Sequence, residues 1–202
     1  YYGVLVVGER GIGKSQTVFT ALISSGIDVN EASKLMNEGR RKIEELVKYK
    51  DLKSLGSQKA AYNALKEASK LSLIQGLVVL DDVERLEQGL ELTYGLIYKV
   101  IYRKALRGEL DIYPIMAIDK RVWEYSIERV GVENVEIIRV LKDRSAVFEI
   151  YWKPRELVNA VKKWINWGLT LPPDEVLLKI AELISAPRPI IDMLYKHEIS
   201  SY

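Results

Sequence analysis

The chain has 202 residues, of which 48% are hydrophobic and 29% charged, and its 30 Lys and Arg nearly balance its 28 Asp and Glu. That length holds one full hydrophobic core plus a small appended unit, and a net charge of +2 is no mark of a nucleic-acid protein, which needs basic residues gathered on one face. The absence of cysteine excludes disulfides and thiolate metal sites, the single histidine, His197, excludes a histidine zinc cluster, and no run approaches the ~20 apolar residues that span a bilayer.

Residues 4–7 are a β-branched apolar run ending at Gly8, which predicts a buried strand. A glycine-rich turn follows, then a helix over 15–24 closed near Gly26. Residues 28–50 read as a helix with Leu35, Ile43, Leu46, Val47 and the small Gly39 on one stripe, and 58–73 as a second helix with Ala61, Leu65, Ala68 and Ser72 inward. Residues 77–80 form a strand that runs into Asp81 and Asp82. A tyrosine-rich helix spans 90–106 and stops at Gly108. A third strand, 112–118, is bounded by Asp119. Residues 122–130 read as helix, 135–140 as strand or helix, and 146–151 as strand. From Pro154 onward only helices are expected, over 157–167, 174–184 and 190–197, with prolines at their entrances. The pattern predicts an α/β core of residues 1–151 followed by a small helical lid of residues 152–202. With no signal peptide visible, the expected location is the cytoplasm, although the chain begins at Tyr1 rather than methionine.

Gly8-Glu9-Arg10-Gly11-Ile12-Gly13-Lys14-Ser15 fulfils G-x-x-x-x-G-K-[ST] in full, between an apolar strand and a helix. Glycines let the backbone turn so that its N–H groups converge on phosphate oxygens, and the start of the next helix adds positive potential. Lys14 is expected to reach the β- and γ-phosphates of a nucleotide and Ser15 to ligate magnesium. Gly8, Glu9, Arg10, Gly11, Ile12, Gly13, Lys14, Ser15 and Gln16 are thus the expected nucleotide-binding set. Asp81, at a strand tip, is the expected holder of hydrated magnesium, and Asp82 the group that orients the attacking water. The plainer alternative is a strand that runs into a polar turn.

The phosphate loop and the Asp81-Asp82 strand resemble the AAA+ ATPases, over nearly the whole chain. Asp-Asp at the second motif is similar to the bacterial initiator DnaA and to IstB-type helicase-loader and transposition ATPases. The resemblance implies a three-layer P-loop NTPase sandwich with a mainly parallel sheet and a helical AAA+ lid, binding ATP and magnesium. It places sensor 1 at Asp119, in Ile115-Met116-Ala117-Ile118-Asp119-Lys120. An aspartate there repels the γ-phosphate unless it binds water or a cation, so slow hydrolysis is expected. It also makes Arg144, in Leu141-Lys142-Asp143-Arg144, the arginine finger offered to a neighbouring subunit, with Arg121, Arg129 and Arg139 as competitors. Arg188, in Ala186-Pro187-Arg188-Pro189, becomes the lid's sensor 2 arginine, and Lys153-Pro154-Arg155-Glu156-Leu157 resembles the lid entrance.

The implied partners are other copies of the chain, and DNA or a DNA-bound protein in replication, helicase loading or transposition. No membrane is expected. Two departures stand out: the family carries a strand between the two nucleotide motifs where residues 28–73 read as helix, with only 27–29 as a remnant, and the helix-turn-helix reader of DnaA is missing after Arg188. The basic clusters Arg40-Arg41-Lys42, Arg103-Lys104 and Lys162-Lys163 alternate with acids and read as solvated helix faces. Trp152, Trp164 and Trp167 are expected to pack the lid against the core. A STAND-type signalling or scaffold switch, working without DNA, is the alternative function.

Overall fold

The computed structural model describes residues 1–46, 54–70, 76–81, 83, 95–109, 111–121, 123, 139–165 and 171–199. Its elements in chain order are β1 (Val4–Gly8), α1 (Lys14–Ser24), α2 (Val29–Leu46), α3 (Leu55–Ser69), β2 (Leu77–Leu80), α4 (Gly95–Tyr102, wound as a π-helix), α5 (Arg103–Leu106), β3 (Tyr113–Asp119), β4 (Ala146–Glu149), α6 (Pro154–Trp164), α7 (Asp174–Leu183) and α8 (Pro187–Ile199). Residues 139–144 are also helical. The remaining parts of the helices expected over 90–106 and 122–130, and of the segment 135–140, lie outside the described residues. The chain divides into two compact units, one of Tyr1–Val7 with Ser15–Phe148, the other of Gly8–Lys14 with Glu149–Tyr202.

The first unit is α/β. Its four-stranded parallel sheet has the order β2-β3-β1-β4, with β2 and β3 in the register Leu77↔Tyr113 to Leu80↔Met116. Parallel strands are covered on both faces and so read as continuous apolar runs. Leu5, Val7, Val78, Leu80, Met116 and Ile118 are accordingly buried together, with Leu65, Leu96, Ile97, Ile101 and Leu141 packed on them. Parallel pairing also sends the C-terminal ends of β2 and β3 to the same end of the sheet, so Asp81 and Asp119 share it.

Asp28 starts α2 by accepting the Glu31 amide at 2.8 Å. Ser54 starts α3 by accepting the Ser57 amide at 3.1 Å, three residues before the helix expected from periodicity alone. Where they are described the inward stripes fall where the sequence puts them, with Leu35, Gly39 and Leu46 of α2 and Ala61, Leu65 and Ala68 of α3 buried; the Ile43 side chain, Val47 and Ser72 lie outside the described residues. At Gly39 the helix meets the backbone of β2: a methyl there would stand 1.7 Å from the Val79 carbonyl oxygen and 2.8 Å from its carbon. Those distances put the methyl nearly along the C=O direction, and a strand carbonyl points in the plane of its sheet. Helix α2 therefore lies along the edge of β2 that β3 does not pair. Among the described residues no strand separates β1 from β2; Ile27 and Asp28 belong to neither helix nor strand and Val29 is already helical.

In the second unit α6, α7 and α8 bury Leu157, Val158, Val161, Ile165, Leu177, Ala181 and Ile190 against one another. Pro154 opens α6, and the Glu156 carboxylate accepts the Lys153 amide at 3.3 Å. Helix α8 begins at Pro187, earlier than the expected residue 190, because prolines in a first turn lack only N–H groups that have no helical partner anyway. Trp164 is about half exposed, in the last turn of α6 at the margin of its buried stripe, and Trp167 lies outside the described residues. Among the described residues no helix is long and apolar enough to cross a membrane.

Candidate functional site

The glycine loop belongs to the second unit. Gly11 and Gly13 take φ of 80° and 107°, which only glycine adopts without strain, and the Ile12 amide closes a turn on the Glu9 carbonyl at 3.2 Å. Lys14 is 6% exposed, and its ammonium donates to the Gly8 carbonyl at 2.9 Å and the Glu9 carbonyl at 3.2 Å. The C-terminal residues of this unit hold the loop from outside. The Trp152 indole N–H donates to the Ile12 carbonyl at 2.9 Å, and the Ser185 hydroxyl bonds the Glu9 carboxylate. A methyl on Gly11 would meet the Arg188 Cβ at 3.0 Å and the Pro189 Cδ at 3.2 Å, whereas one on Gly13 would meet nothing within 4 Å. Arg188 thus abuts the loop through the base of its side chain. Its guanidinium points out, 78% exposed, with Nε 3.9 Å from Asp192.

The acidic candidates lie in the first unit. The Ser15 hydroxyl, in the first turn of α1, donates to Asp81 Oδ1 at 2.8 Å. Asp81 is 1% exposed, and its second oxygen, Oδ2, accepts two N–H groups of Arg40, from Nε at 3.0 Å and from Nη2 at 2.7 Å. Asp119 ends β3 and is buried; its Oδ1 accepts the Arg121 amide at 2.8 Å, so it caps the helical turn that follows. Gln16 is exposed and its amide donates to the Thr20 hydroxyl at 3.4 Å; Arg10 is exposed too. Asp82 lies outside the described residues. Arg144 sits over the Tyr102 ring with Cζ 4.4 Å from its centroid, and its carbonyl accepts the Tyr2 amide at 2.7 Å. Arg121 and Arg139 are exposed, and Arg129 lies outside the described residues.

A nucleotide with magnesium fits these residues on chemical grounds. Gly13 has positive φ and open space where a side chain would stand, as close approach of phosphate to backbone requires. Magnesium keeps most of its waters and takes one or two protein oxygens plus those of its phosphates, and a hydroxyl beside a buried carboxylate is such a pair. Among the described residues no group of three or more His, Cys, Asp or Glu could hold a metal without such help.

The groups with shifted proton affinity are away from this pair. Burial, with a hydrogen bond to the Asp111 carboxylate, pushes the Tyr62 phenol up, while the Lys66 ammonium and the Tyr62 hydroxyl hold the Asp111 carboxyl down. Three contributors escaped the sequence reading. Arg40 reads as one of three consecutive cations on a solvated face, and neither Trp152 nor Ser185 belongs to any motif. Comparison with known proteins adds no relative: no family model matches the chain, and neither a curated protein nor a solved structure matches it.

Proposed function

We propose that the chain binds ATP with magnesium and hydrolyses it, as an AAA+ type ATPase acting in DNA replication, helicase loading or transposition. The observation that carries the reading is the 2.8 Å bond between Ser15 and Asp81, side chains 66 positions apart. The hydroxyl that closes the glycine motif and the carboxylate that ends an apolar strand are the two magnesium-side groups expected from sequence, and they meet.

In this reading the loop amides and Lys14 bind the phosphates, because an ammonium among converging N–H groups counters their charge in a site screened from water. Ser15, and Asp81 through water, would hold magnesium, which would supply further neutralisation of the transferring phosphoryl group. Asp82 orients the attacking water, and Asp119 orders water with the oxygen that the Arg121 amide does not take. Arg188 would turn its exposed guanidinium to the γ-phosphate as the lid's sensor. Arg144 would leave the Tyr102 face to act on a neighbouring copy of the chain, which makes a homo-oligomer the working form.

Calorimetry with magnesium-ATP tests the core of the proposal. Lys14→Ala should weaken association at least ~10-fold, the worth of one charge-assisted hydrogen bond. Absence of association with the natural chain, or equal association by the variant, sinks it. Turnover measured with and without single- and double-stranded DNA tests the rest: stimulation supports action on DNA, and a rate indifferent to DNA points to the nucleotide-controlled switch.

A further inference from the structure

We infer that Arg40 is a positioning residue that couples metal binding to nucleotide binding: by occupying Oδ2 of Asp81 it keeps the site's affinity for a bare divalent cation low. The inference rests on the nucleotide reading above and concerns the same carboxylate. It starts from burial. An ionised carboxylate that is 1% exposed needs a positive partner or a full set of donors. Ser15 supplies one neutral donor to Oδ1, and the charge comes from Arg40 alone among the described contacts of Asp81, through two N–H groups on Oδ2.

The two partners are not equally fixed. Asp81 sits at the end of β2 with its carboxylate enclosed, whereas the Arg40 side chain is 43% exposed and hangs from α2 beside Gly39, whose contact with Val79 fixes the helix backbone. The guanidinium is in reach of water and the carboxylate is not. A dication and a guanidinium repel each other and compete for the same carboxylate. A bare metal ion would have to displace Arg40 with little in return, only one hydroxyl and one carboxylate. A triphosphate changes the balance twice, since its oxygens add metal ligands and its charge gives the planar guanidinium, once displaced, a bidentate partner. Arg40 would therefore make metal and nucleotide bind together rather than in sequence.

The test uses Mn²⁺ as the probe, titrated into the full chain and followed by electron paramagnetic resonance, first without and then with a non-hydrolysable ATP analogue. Without nucleotide, Arg40→Gln should bind Mn²⁺ at least ~10-fold more tightly than the natural chain, the effect of removing one competing charge at a partly exposed site. Arg40→Lys keeps the charge but has no fork to chelate Oδ2, and should fall between the two. Equal affinity in all three chains overturns the inference. So does weaker binding by Arg40→Gln, the result if the guanidinium merely props the carboxylate in place. If the natural chain shows no gain in Mn²⁺ affinity on adding the analogue, the nucleotide reading itself has failed; if it does and the variants do not differ, only the role of Arg40 has.

Discussion

Replacing Gly39 with alanine sets two well-known effects against each other. Helix propensity favours alanine over glycine by about 1 kcal/mol in a helix interior. The new methyl, however, would lie 1.7 Å from the Val79 oxygen, where an ordinary C···O contact needs about 3.3 Å. The obstacle is backbone, which cannot rotate aside, so α2 has to retreat from β2 by about 1.5 Å. That retreat loosens the layer holding Ala32, Leu35, Met36 and Leu46, all buried. Overpacking of this kind costs about 1–3 kcal/mol and here belongs at the upper end, leaving a net loss of about 2 kcal/mol after the propensity gain. For a chain of this size each kcal/mol moves the melting temperature by roughly 2–4 °C, so Gly39→Ala should melt about 4–8 °C lower. Thermal unfolding by circular dichroism reads the shift, with Asn37→Ala on the exposed face of α2 as the control that gains propensity without a clash. A Gly39→Ala chain that melts as high as the natural one, or higher, refutes the packing of α2 on β2.

Four further outcomes follow from named contacts. Arg144→Ala should bind ATP normally and lose turnover by about 1,000-fold or more, the usual worth of an arginine finger; unchanged turnover in a steady-state assay removes that assignment. Trp152→Phe deletes the indole N–H bond to the Ile12 carbonyl, worth about 1 kcal/mol, and should weaken nucleotide binding several-fold while abolishing any nucleotide-dependent change in Trp152 emission; unaltered affinity would mean the loop does not need this support. The Tyr62 phenol is raised above its ordinary value of 10.0, by burial first and by Asp111 second. Its neutral form is favoured by folding, so its contribution is complete below pH 10.0 and fades as pH rises toward the folded value. Absorbance titration at alkaline pH should show one tyrosine ionising late, and Tyr62→Phe should remove it. Asp111 works in the opposite sense: its carboxyl is held down by Lys66 first and Tyr62 second, so its contribution is present above pH 3.8 and lost as pH falls below it.

What was legible in the sequence is what local rules control. The strands β1, β2 and β3 declare themselves as apolar β-branched runs, since parallel strands are buried on both faces. The glycine motif, and the inward faces of α2 and α3, follow from spacing alone. The helix starts at Ser54 and Pro187 came earlier than periodicity put them, because caps and first-turn prolines carry no periodic signal. Asp119 illustrates a different limit. Its place at a strand end is readable, but that it caps the turn with Arg121 depends on where the chain goes next. Arg40 was not legible at all. Three consecutive cations read as a wet face, and Arg40 is exposed yet pairs with Asp81, because whether that turn of α2 meets a carboxylate is decided by the tertiary course of the helix.

That course links the chief departure from the AAA+ resemblance to the proposed role of Arg40. Where the resembled family carries a strand, between the glycine motif and the Asp81 strand, this chain has helices among its described residues, as its sequence predicts, and one of them takes a strand's place at the sheet edge. A helix is one way to cover an unpaired edge, and here its backbone comes so close that only a residue without a side chain fits at the contact. Gly39 supplies that contact at Val79, two residues before Asp81. The next residue of the helix is then carried about 1.5 Å along its axis and about 100° around it. That displacement takes Arg40 off the contact line, and it is from there that its guanidinium reaches the end of β2. A strand at the same edge would alternate its side chains above and below the sheet, and so would offer no residue pointing along the edge toward the carboxylate. Covering the edge with a helix therefore does more than shield it: it brings a cation to Asp81. On this reasoning Gly39→Ala and Arg40→Gln should shift Mn²⁺ affinity in the same direction, the first by moving the helix and the second by removing the charge. Opposite shifts would mean that the edge contact and the metal site are independent.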